Sequence, residues 1–257
     1  MARMKVLVTG MSGLIGGSLR KHLEGRYELT ALNRSAVEGV TCHQADIRDL
    51  DAIQPAFAGQ DVVVHLAAMV SGGAADSDLQ DMLDFNLKGT FNVFEAARRA
   101  GCKRVVFASS GATVAGYEKD EPYKSLAAGN YAALKDGWPM LTHLSPLRPL
   151  GLYGCSKAWG EDLARHFVDS SELSIVCVRI GRVNEEDKAG DSRTRAVWCS
   201  HRDICGLLEA AITAPPHLRY EIVFGVSNNR YSYRDMEHTH EVLGFVPQDS
   251  SDAFFKD

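Results

Sequence analysis

Near its start the chain reads Val8-Thr9-Gly10-Met11-Ser12-Gly13-Leu14-Ile15-Gly16, and this stretch decides the fold. It follows a short apolar run and leads into a helical pattern that extends to Leu23. Glycines with this spacing allow a sharp turn, a close approach of backbone N–H groups to phosphate, and tight packing of helix on sheet. The helix N-terminus adds a partial positive charge. The stretch therefore predicts a site for a dinucleotide pyrophosphate.

Short apolar runs alternate with helical patterns along the rest of the chain. The runs show no regular alternation of apolar and polar residues, which is typical of strands buried on both faces of a parallel sheet. They lie at residues 5–8, 62–64, 104–107 and 174–178. Because helical patterns separate them, the sequence predicts an α/β fold with a Rossmann-type doubly wound parallel sheet.

The length of 257 residues fits a single domain. We expect residues 1–180 to form a dinucleotide-binding core and residues 181–257 a small C-terminal substrate lobe. The lobe pattern contains a helix at 200–213, a strand at 220–224 and a terminal helix. Residues 118–148 show no clear period, and they are interpreted as an insertion beside the active site, either a lid or an oligomer contact, or else a plain surface loop.

Composition narrows the class of function. The net charge is −5 and the sequence pI is about 6.0, which gives no reason to expect nucleic acid or an anionic membrane as partner. The chain contains no apolar run of ~18 residues, the length of a membrane span. No signal peptide is recognised, and the six cysteines are scattered without a C-x-x-C pair. We therefore expect a cytoplasmic protein with reduced thiols.

The end of the second strand bears on the choice between NAD and NADP. An acidic residue at this point would bind the ribose 2′-hydroxyl of NAD, but the chain has Asn33 followed by Arg34. Without the carboxylate a 2′-phosphate is not repelled, and Arg34 can pair with it. The pattern favours NADP, and the alternative is NAD bound through Asn33 with Arg34 in solvent.

Further cofactor contacts are expected from the turns that follow the other strands. Asp46 is predicted to accept a hydrogen bond from the adenine amino group, and small or apolar residues after the strand ending at His65 are predicted to line the adenosine and nicotinamide ribose. The complete predicted cofactor set is Gly10, Ser12, Gly13, Leu14, Ile15, Gly16, Asn33, Arg34, Ser35, Asp46, Ile47, Leu66, Ala67, Ala68, Asn86, Tyr153, Lys157 and Ile180.

Two Tyr-x-x-x-Lys patterns compete for the catalytic site. Tyr131…Lys135 is followed closely by glycine and proline, which stop a helix, whereas Tyr153…Lys157 leads into a long amphipathic helix. Residues four apart share one helix face, so Lys157 is expected to lower the pKa of Tyr153 and make the phenol a better base. Ser110 is predicted to bind the reacting oxygen, with Ser109 as the competing candidate.

The ordered set of motifs resembles the extended short-chain dehydrogenase/reductase family, also called the NAD-dependent epimerase/dehydratase family. The motifs are T-G-x-x-G-x-x-G, D-I, H-L-A-A, N, S-S, Y-x-x-x-K and R-I-G, across roughly residues 4–245. The stretches at 151–157, 178–181 and 198–203 resemble the uronate dehydrogenase branch more narrowly. That resemblance implies an oligomeric enzyme that oxidises the anomeric carbon of free hexuronates with NAD and forms lactones.

The chain departs from that branch where substrate is expected. Gly111-Ala112 replaces Asn-His, Arg182 replaces a serine after R-I-G, and Asn33 replaces an aspartate, whereas one substrate arginine is retained as Arg193. Guanidinium groups suit carboxylate, phosphate or sulfonate, so the resemblance and these arginines together predict an anionic sugar as substrate. The predicted substrate residues are Ser110, Gly111, Tyr153, Arg182, Arg193 and Arg195.

Several alternatives stay open at this point. The arginines can be exposed loop residues around a neutral aldose, and the enzyme can be an epimerase or dehydratase that retains NAD(P). A regulator that binds NADP without catalysis is a third class, but such proteins commonly lack the Tyr/Lys pair. The run Glu237-His238-Thr239-His240 is interpreted as a solvated helix start, so no metal site is predicted. A homo-oligomer is expected from the resemblance.

Overall fold

Seven parallel strands form a single sheet in the computed structural model, which describes residues 3–70, 76–134 and 137–255. The strands lie in the order β3-β2-β1-β4-β5-β6-β7. Their bounds are β1 Lys5–Thr9, β2 Glu28–Asn33, β3 Thr41–Gln44, β4 Val62–His65, β5 Arg104–Ser110, β6 Ser174–Ile180 and β7 Tyr220–Gly225. The chain order reverses between β1 and β4, which creates the crevice where such sheets bind ligands.

Helices cover both faces of this sheet and surround its carboxyl edge. They are α1 Leu14–Leu23, α2 Leu50–Ile53, α3 Asp76–Leu83, α4 Gly89–Arg99, α5 Tyr123–Ala128, α6 Gly151–Ser170, α7 Ser192–Val197, α8 His201–Ile212 and α9 Glu237–Leu243. A π-helical turn at Asp84–Lys88 precedes α4. Short 3₁₀ turns occupy Gln54–Phe57, Gly111–Thr113, Ala115–Lys119, Tyr131–Ala133 and Ser251–Phe254. Among the described residues no helix is long and apolar enough to cross a membrane.

Two apolar layers explain why the strands are hydrophobic on both faces. On one face α1 and α8 pack against the sheet through side chains such as Leu19 and Leu208. On the other face α4 and α6 contribute Phe94 and Phe167. The strands β1, β2, β4, β5 and β6 bury side chains in both layers, so the predicted doubly wound α/β fold is confirmed.

The C-terminal region differs in part from its predicted role. The predicted helix at 200–213 is α8 and the predicted strand at 220–224 is β7, but α8 covers the main sheet and β7 pairs with β6. These elements therefore extend the core beyond residue 180, because a seventh parallel strand needs its own crossover helix. What remains beside the sheet is smaller than the predicted lobe of 181–257.

A third apolar cluster joins the predicted insertion to the end of the chain. Tyr123, Leu126 and Leu141 from the insertion pack with Val197 and Tyr233. The pairing of Leu141 with Arg234 adds backbone hydrogen bonds between the same two segments. The described part of residues 118–148 therefore packs with the C-terminal segment in one lobe and is not a separate surface loop.

Candidate active site

Two adjacent cavities lie at the carboxyl edge of the sheet, on either side of the turn between β1 and α1. The Asn33 cavity has a volume of about 270 Å³ and lies beyond the end of β2. The Tyr153 cavity has a volume of about 380 Å³ and lies beyond β5 and β6. Gly10, Gly13, Leu66 and Ala68 line both of them, so an extended ligand can span the two.

The turn between the cavities is shaped for close contact with a phosphate group. Gly10 has φ +72°, a conformation that favours glycine, and Gly13 immediately precedes the first turn of α1. A Cβ on Gly16 would stand 2.4 Å from the carbonyl oxygen of Gly10, so only glycine lets α1 pack this closely on the turn. The exposed backbone and the helix N-terminus together fit a dinucleotide pyrophosphate.

Asn33 presents a buried acceptor at the base of its cavity. Its Nδ2 donates to Ser12 Oγ at 2.6 Å, whereas its Oδ1 is buried and has no hydrogen-bond partner among the described residues. A buried oxygen without a partner is costly, and a ribose hydroxyl can donate to it. Arg34 is exposed beside it, with its guanidinium 5.3 Å from the centroid of the Phe85 ring.

Sixteen of the eighteen predicted cofactor residues line one cavity or the other. The Asn33 cavity contains Gly10, Ser12, Gly13, Asn33, Arg34, Ser35, Ile47, Leu66, Ala67 and Ala68. The Tyr153 cavity adds Leu14, Ile15, Gly16, Tyr153, Lys157 and Ile180. Sequence reasoning missed apolar lining residues that no motif identifies, namely Leu32, Ala45, Val70, Phe85, Ala108 and Val183.

Asp46 and Asn86 are the two predicted residues that line neither cavity. Arg48 binds the Asp46 carboxylate with hydrogen bonds of 2.8–3.2 Å, and this lowers the pKa of Asp46. Asn86 is buried and exchanges hydrogen bonds with the backbone of Met69, while its Nδ2 also donates to Ser156 Oγ at 3.2 Å. Asn86 therefore connects the loop after β4 to α6, and it positions the catalytic helix.

Ser110, Tyr153 and Lys157 meet in the Tyr153 cavity. The Ser110 side chain lies beside the Tyr153 hydroxyl, and its oxygen accepts a hydrogen bond from the backbone N–H of Ala112 at 3.1 Å. Ser109 points the other way, and its hydroxyl donates to Glu161 Oε1 at 2.6 Å. Successive residues of a strand face opposite sides, so the structure places Ser110, not Ser109, against the phenol.

Burial dominates the electrostatics of the Tyr/Lys pair. It raises the pKa of Tyr153, whereas the neighbouring Ser110 hydroxyl acts in the opposite direction. It lowers the pKa of Lys157 to about 7, because the ammonium is surrounded by protein. Lys157 Nζ lies 5.6 Å from the centroid of the Tyr153 ring. The net effect in the protein chain by itself is therefore a raised pKa of Tyr153, against the predicted lowering by Lys157.

A buried ion pair joins the helix that carries Tyr153 and Lys157 to the sheet. Arg179 of β6 donates to both carboxylate oxygens of Glu161 in α6, at 2.9 and 2.8 Å, and both side chains are 2% exposed. Ser109 of β5 binds the same carboxylate. The pair therefore joins α6 to two strands at the level of the Tyr153 cavity. Sequence analysis did not identify it, although an arginine inside a buried strand is a signal of this kind.

The three predicted substrate arginines do not act together. Arg182 lines the Tyr153 cavity and is exposed. Arg193 instead donates to Glu118, with N–O distances of 2.5 and 3.0 Å. Arg195 is buried, pairs with Asp252 at 3.0 Å and stacks against aromatic rings. The structure therefore leaves Arg182 at the cavity and gives Arg193 and Arg195 partners within the lobe.

The described residues of the other Tyr-x-x-x-Lys pattern and of the run at 237–240 do not line the Tyr153 cavity. Tyr131 lies in a 3₁₀ turn and stacks on Tyr231, with ring centroids 3.5 Å apart, and Lys135 lies outside the described residues. His238 hydrogen-bonds Glu221 at 3.0 Å and stacks on His143. Over the described part of the chain, no group of three His, Cys, Asp or Glu residues is arranged to hold a metal ion.

Comparison with known proteins identifies the family that the chain resembles. Residues 6–197 match the NAD dependent epimerase/dehydratase family. The chain is 33% identical to an NAD-dependent glucose-6-phosphate dehydrogenase of Haloferax volcanii, over 97% of this chain and 95% of that protein. It is 33% identical to a uronate dehydrogenase of Agrobacterium fabrum, over 97% of this chain and 86% of that protein.

The crystal structure of the uronate dehydrogenase from Agrobacterium tumefaciens superimposes with a TM-score of 0.82 at 32% sequence identity, covering 99% of this chain and 88% of that one. The agreement therefore extends over the sheet and the lobe beside it. The family model matches most of the chain, and the glycine turn and the Ser110–Tyr153 contact agree with it. This chain belongs to the NAD dependent epimerase/dehydratase family.

Proposed function

We propose that this protein is an NAD(P)-dependent dehydrogenase that oxidises the anomeric carbon of an anionic hexose to a lactone. The observation that carries the proposal is that Ser110, Tyr153 and Lys157 meet in one cavity beside the phosphate-binding turn. The relatives named above, which act on glucose 6-phosphate and on uronates, support the class of substrate.

The residues of the Tyr153 cavity divide the chemistry among them. When bound, the oxidised dinucleotide supplies the hydride acceptor. Tyr153 accepts the proton of the C1 hydroxyl as the C1–H bond breaks and the carbonyl of the lactone forms, so one proton and one hydride leave the sugar. Ser110 donates a hydrogen bond to the same oxygen. Lys157, when protonated, stabilises the tyrosinate that accepts this proton, and Tyr153 becomes a neutral phenol once the proton is transferred.

The apolar surroundings of the cavity serve the same reaction. Ala108, Ile180 and Val183 line it and limit the access of water to the reacting carbon. A low-dielectric site strengthens the interactions of Tyr153 and Lys157 with charge that develops during the reaction. Burial also makes Tyr153 harder to deprotonate, so we expect oxidation to be faster at alkaline pH.

The anionic substrate is tested with a panel of sugars. Purified protein is mixed with NAD+ or NADP+ and with glucose, glucuronate, glucose 6-phosphate or the 6-sulfonate analogue, and formation of the reduced cofactor is followed. We expect at least one charged sugar to exceed glucose in kcat/KM. If glucose is the best substrate, the anionic part of the proposal fails, and conversion of a sugar without net reduction of cofactor would instead favour an epimerase.

Arg182 is predicted to contribute to recognition of the charged sugar, because it lines the Tyr153 cavity. Arg182→Ala is expected to lower kcat/KM for the preferred charged sugar by about tenfold, since loss of one charge-assisted hydrogen bond costs roughly 1.5–3 kcal/mol and exposure reduces that value. The matched control is Arg202→Ala, an exposed arginine that pairs with Asp249 away from the cavity. Equal effects on glucose and the charged sugar would contradict this role.

The cofactor site is proposed to accept NADP at least as well as NAD. The support is the neutral amide of Asn33 beside the exposed guanidinium of Arg34, where a carboxylate would repel a 2′-phosphate. Arg34→Ala is expected to raise KM for NADP+ roughly tenfold and to change KM for NAD+ little. The measurement is the ratio of kcat/KM for the two cofactors. A strong native preference for NAD+, or equal losses in the variant, would overturn the 2′-phosphate site.

A further inference from the structure

Arg234 is a buried arginine to which sequence analysis assigned no role. The residue is 3% exposed. Its Nε and Nη1 atoms are buried without a hydrogen-bond partner among the described residues. Its guanidinium lies 5.9 Å from the centroid of the Tyr233 ring. A buried cation with two nitrogens left unpaired is costly, because neither water nor protein replaces their hydration.

The carboxylate that attracts Arg234 electrostatically is that of Glu118, and it already accepts hydrogen bonds from other residues. Glu118 acts electrostatically on Arg234, but its two oxygens accept from Arg193, and one of them also accepts from Tyr233 at 2.6 Å. Arg179 is paired with Glu161. The two guanidinium groups of Arg193 and Arg234 thus share one carboxylate charge, which leaves an excess of positive charge in this part of the lobe.

Gly111 creates the space that the Arg234 guanidinium occupies. A Cβ on Gly111 would stand 2.1 Å from Nη1, 2.2 Å from Cζ and 2.3 Å from Nη2 of Arg234. Any larger residue at this position would therefore displace the guanidinium. Because Gly111 follows Ser110 directly, the arginine lies one residue away from the group that binds Tyr153.

A third cavity is lined in part by Arg234. This Trp138 cavity has a volume of about 420 Å³ and is lined by Arg234 together with Trp138, Met140, Asn228 and Met236. Arg234 therefore lies between the Trp138 cavity and the catalytic segment that ends at Ser110.

We propose that Arg234, held in place by the absence of a side chain at Gly111, is the receptor for the oxyanion of the sugar substrate. The inference rests on the proposed function and assigns the specificity of the same site. The recognised chemistry is a carboxylate or phosphate carried by the sugar at the end remote from C1. Guanidinium binds either group through paired hydrogen bonds, so glucuronate and glucose 6-phosphate are the two arms of the test.

The test replaces the charge by an apolar chain of similar length. Arg234→Met is expected to lower kcat/KM for the preferred charged sugar by about 10- to 100-fold, with little change for glucose or in binding of NAD+. It is also expected to raise the melting temperature by about 2–4 °C without substrate, because it removes a buried charge without a partner. A cation with a purely structural role would lower the melting temperature and slow all sugars alike.

Gly111→Ala is the second variant, and it keeps the charge while displacing the guanidinium. It should reduce the preference for the charged sugar in the same direction as Arg234→Met, and it carries the test if Arg234→Met does not fold. Preference that survives in the variants but disappears in Arg182→Ala would overturn this inference and leave the proposed function intact. A native enzyme that prefers glucose would overturn both.

Discussion

Replacement of Tyr153 by phenylalanine is expected to lower kcat by roughly 10²–10⁴-fold, the usual contribution of a positioned acid–base group. Phenylalanine keeps the ring that lies 5.6 Å from Lys157 Nζ but removes the hydroxyl that Ser110 contacts. Binding of the cofactor should be retained, because the phosphate-binding turn and the Asn33 cavity are untouched. The loss should therefore appear in single-turnover rates as well as in the steady state.

Tyr131→Phe is the matched control for this experiment. It makes the same change in the other Tyr-x-x-x-Lys pattern, where the tyrosine stacks on Tyr231 in a 3₁₀ turn. We expect kcat to change by less than about threefold, in keeping with substitutions away from reacting groups. If Tyr131→Phe abolished activity while Tyr153→Phe did not, the choice between the two patterns would be wrong.

The strand–helix order and the position of the glycine turn could be predicted because both are local. The turn after β1 needs a positive φ at Gly10 and close packing at Gly16, and each requirement restricts a single position to glycine. The placement of Tyr153 and Lys157 on one helix face follows from the helical period alone. Features of this kind depend on neighbours within a few residues, so the sequence contains them directly.

The partners of the charged side chains could not be predicted, since they come from distant parts of the chain. Arg193 meets Glu118, and Arg195 meets Asp252, only after the insertion has packed against the C-terminal segment. A guanidinium that looks available in the sequence is therefore neutralised in the fold. Arg234 shows the reverse case, because nothing near it in sequence indicates a buried cation beside Gly111.

The choice between Ser109 and Ser110 depended on a residue that sequence analysis had not considered. Glu161 binds Ser109 at 2.6 Å and so determines which serine faces the phenol. Alternation along β5 shows that the two hydroxyls point to opposite faces of the sheet. It does not show which hydroxyl lies beside Tyr153 and which lies beside Glu161. The buried ion pair of Glu161 with Arg179 supplies that information.

Arg179→Met is expected to destabilise the protein by about 3–5 kcal/mol, because it leaves the Glu161 carboxylate buried without its cation. The two groups are 2% exposed and joined by hydrogen bonds of 2.9 and 2.8 Å, so water cannot replace the lost partner. Urea unfolding monitored by circular dichroism measures the change as a lower midpoint at constant m-value. Catalysis should weaken as well, since Ser109 and α6 share this carboxylate.

The double variant Arg179→Met/Glu161→Leu distinguishes charge from packing. With both ions removed, two apolar side chains of similar size can pack between α6 and β6, and we expect most of the stability to return. The ion pair would then serve to orient Ser109 and α6, and it would contribute little to the net stability of the fold. A double variant as unstable as Arg179→Met alone would show instead that the shape of the arginine, and not its charge, supports the active site.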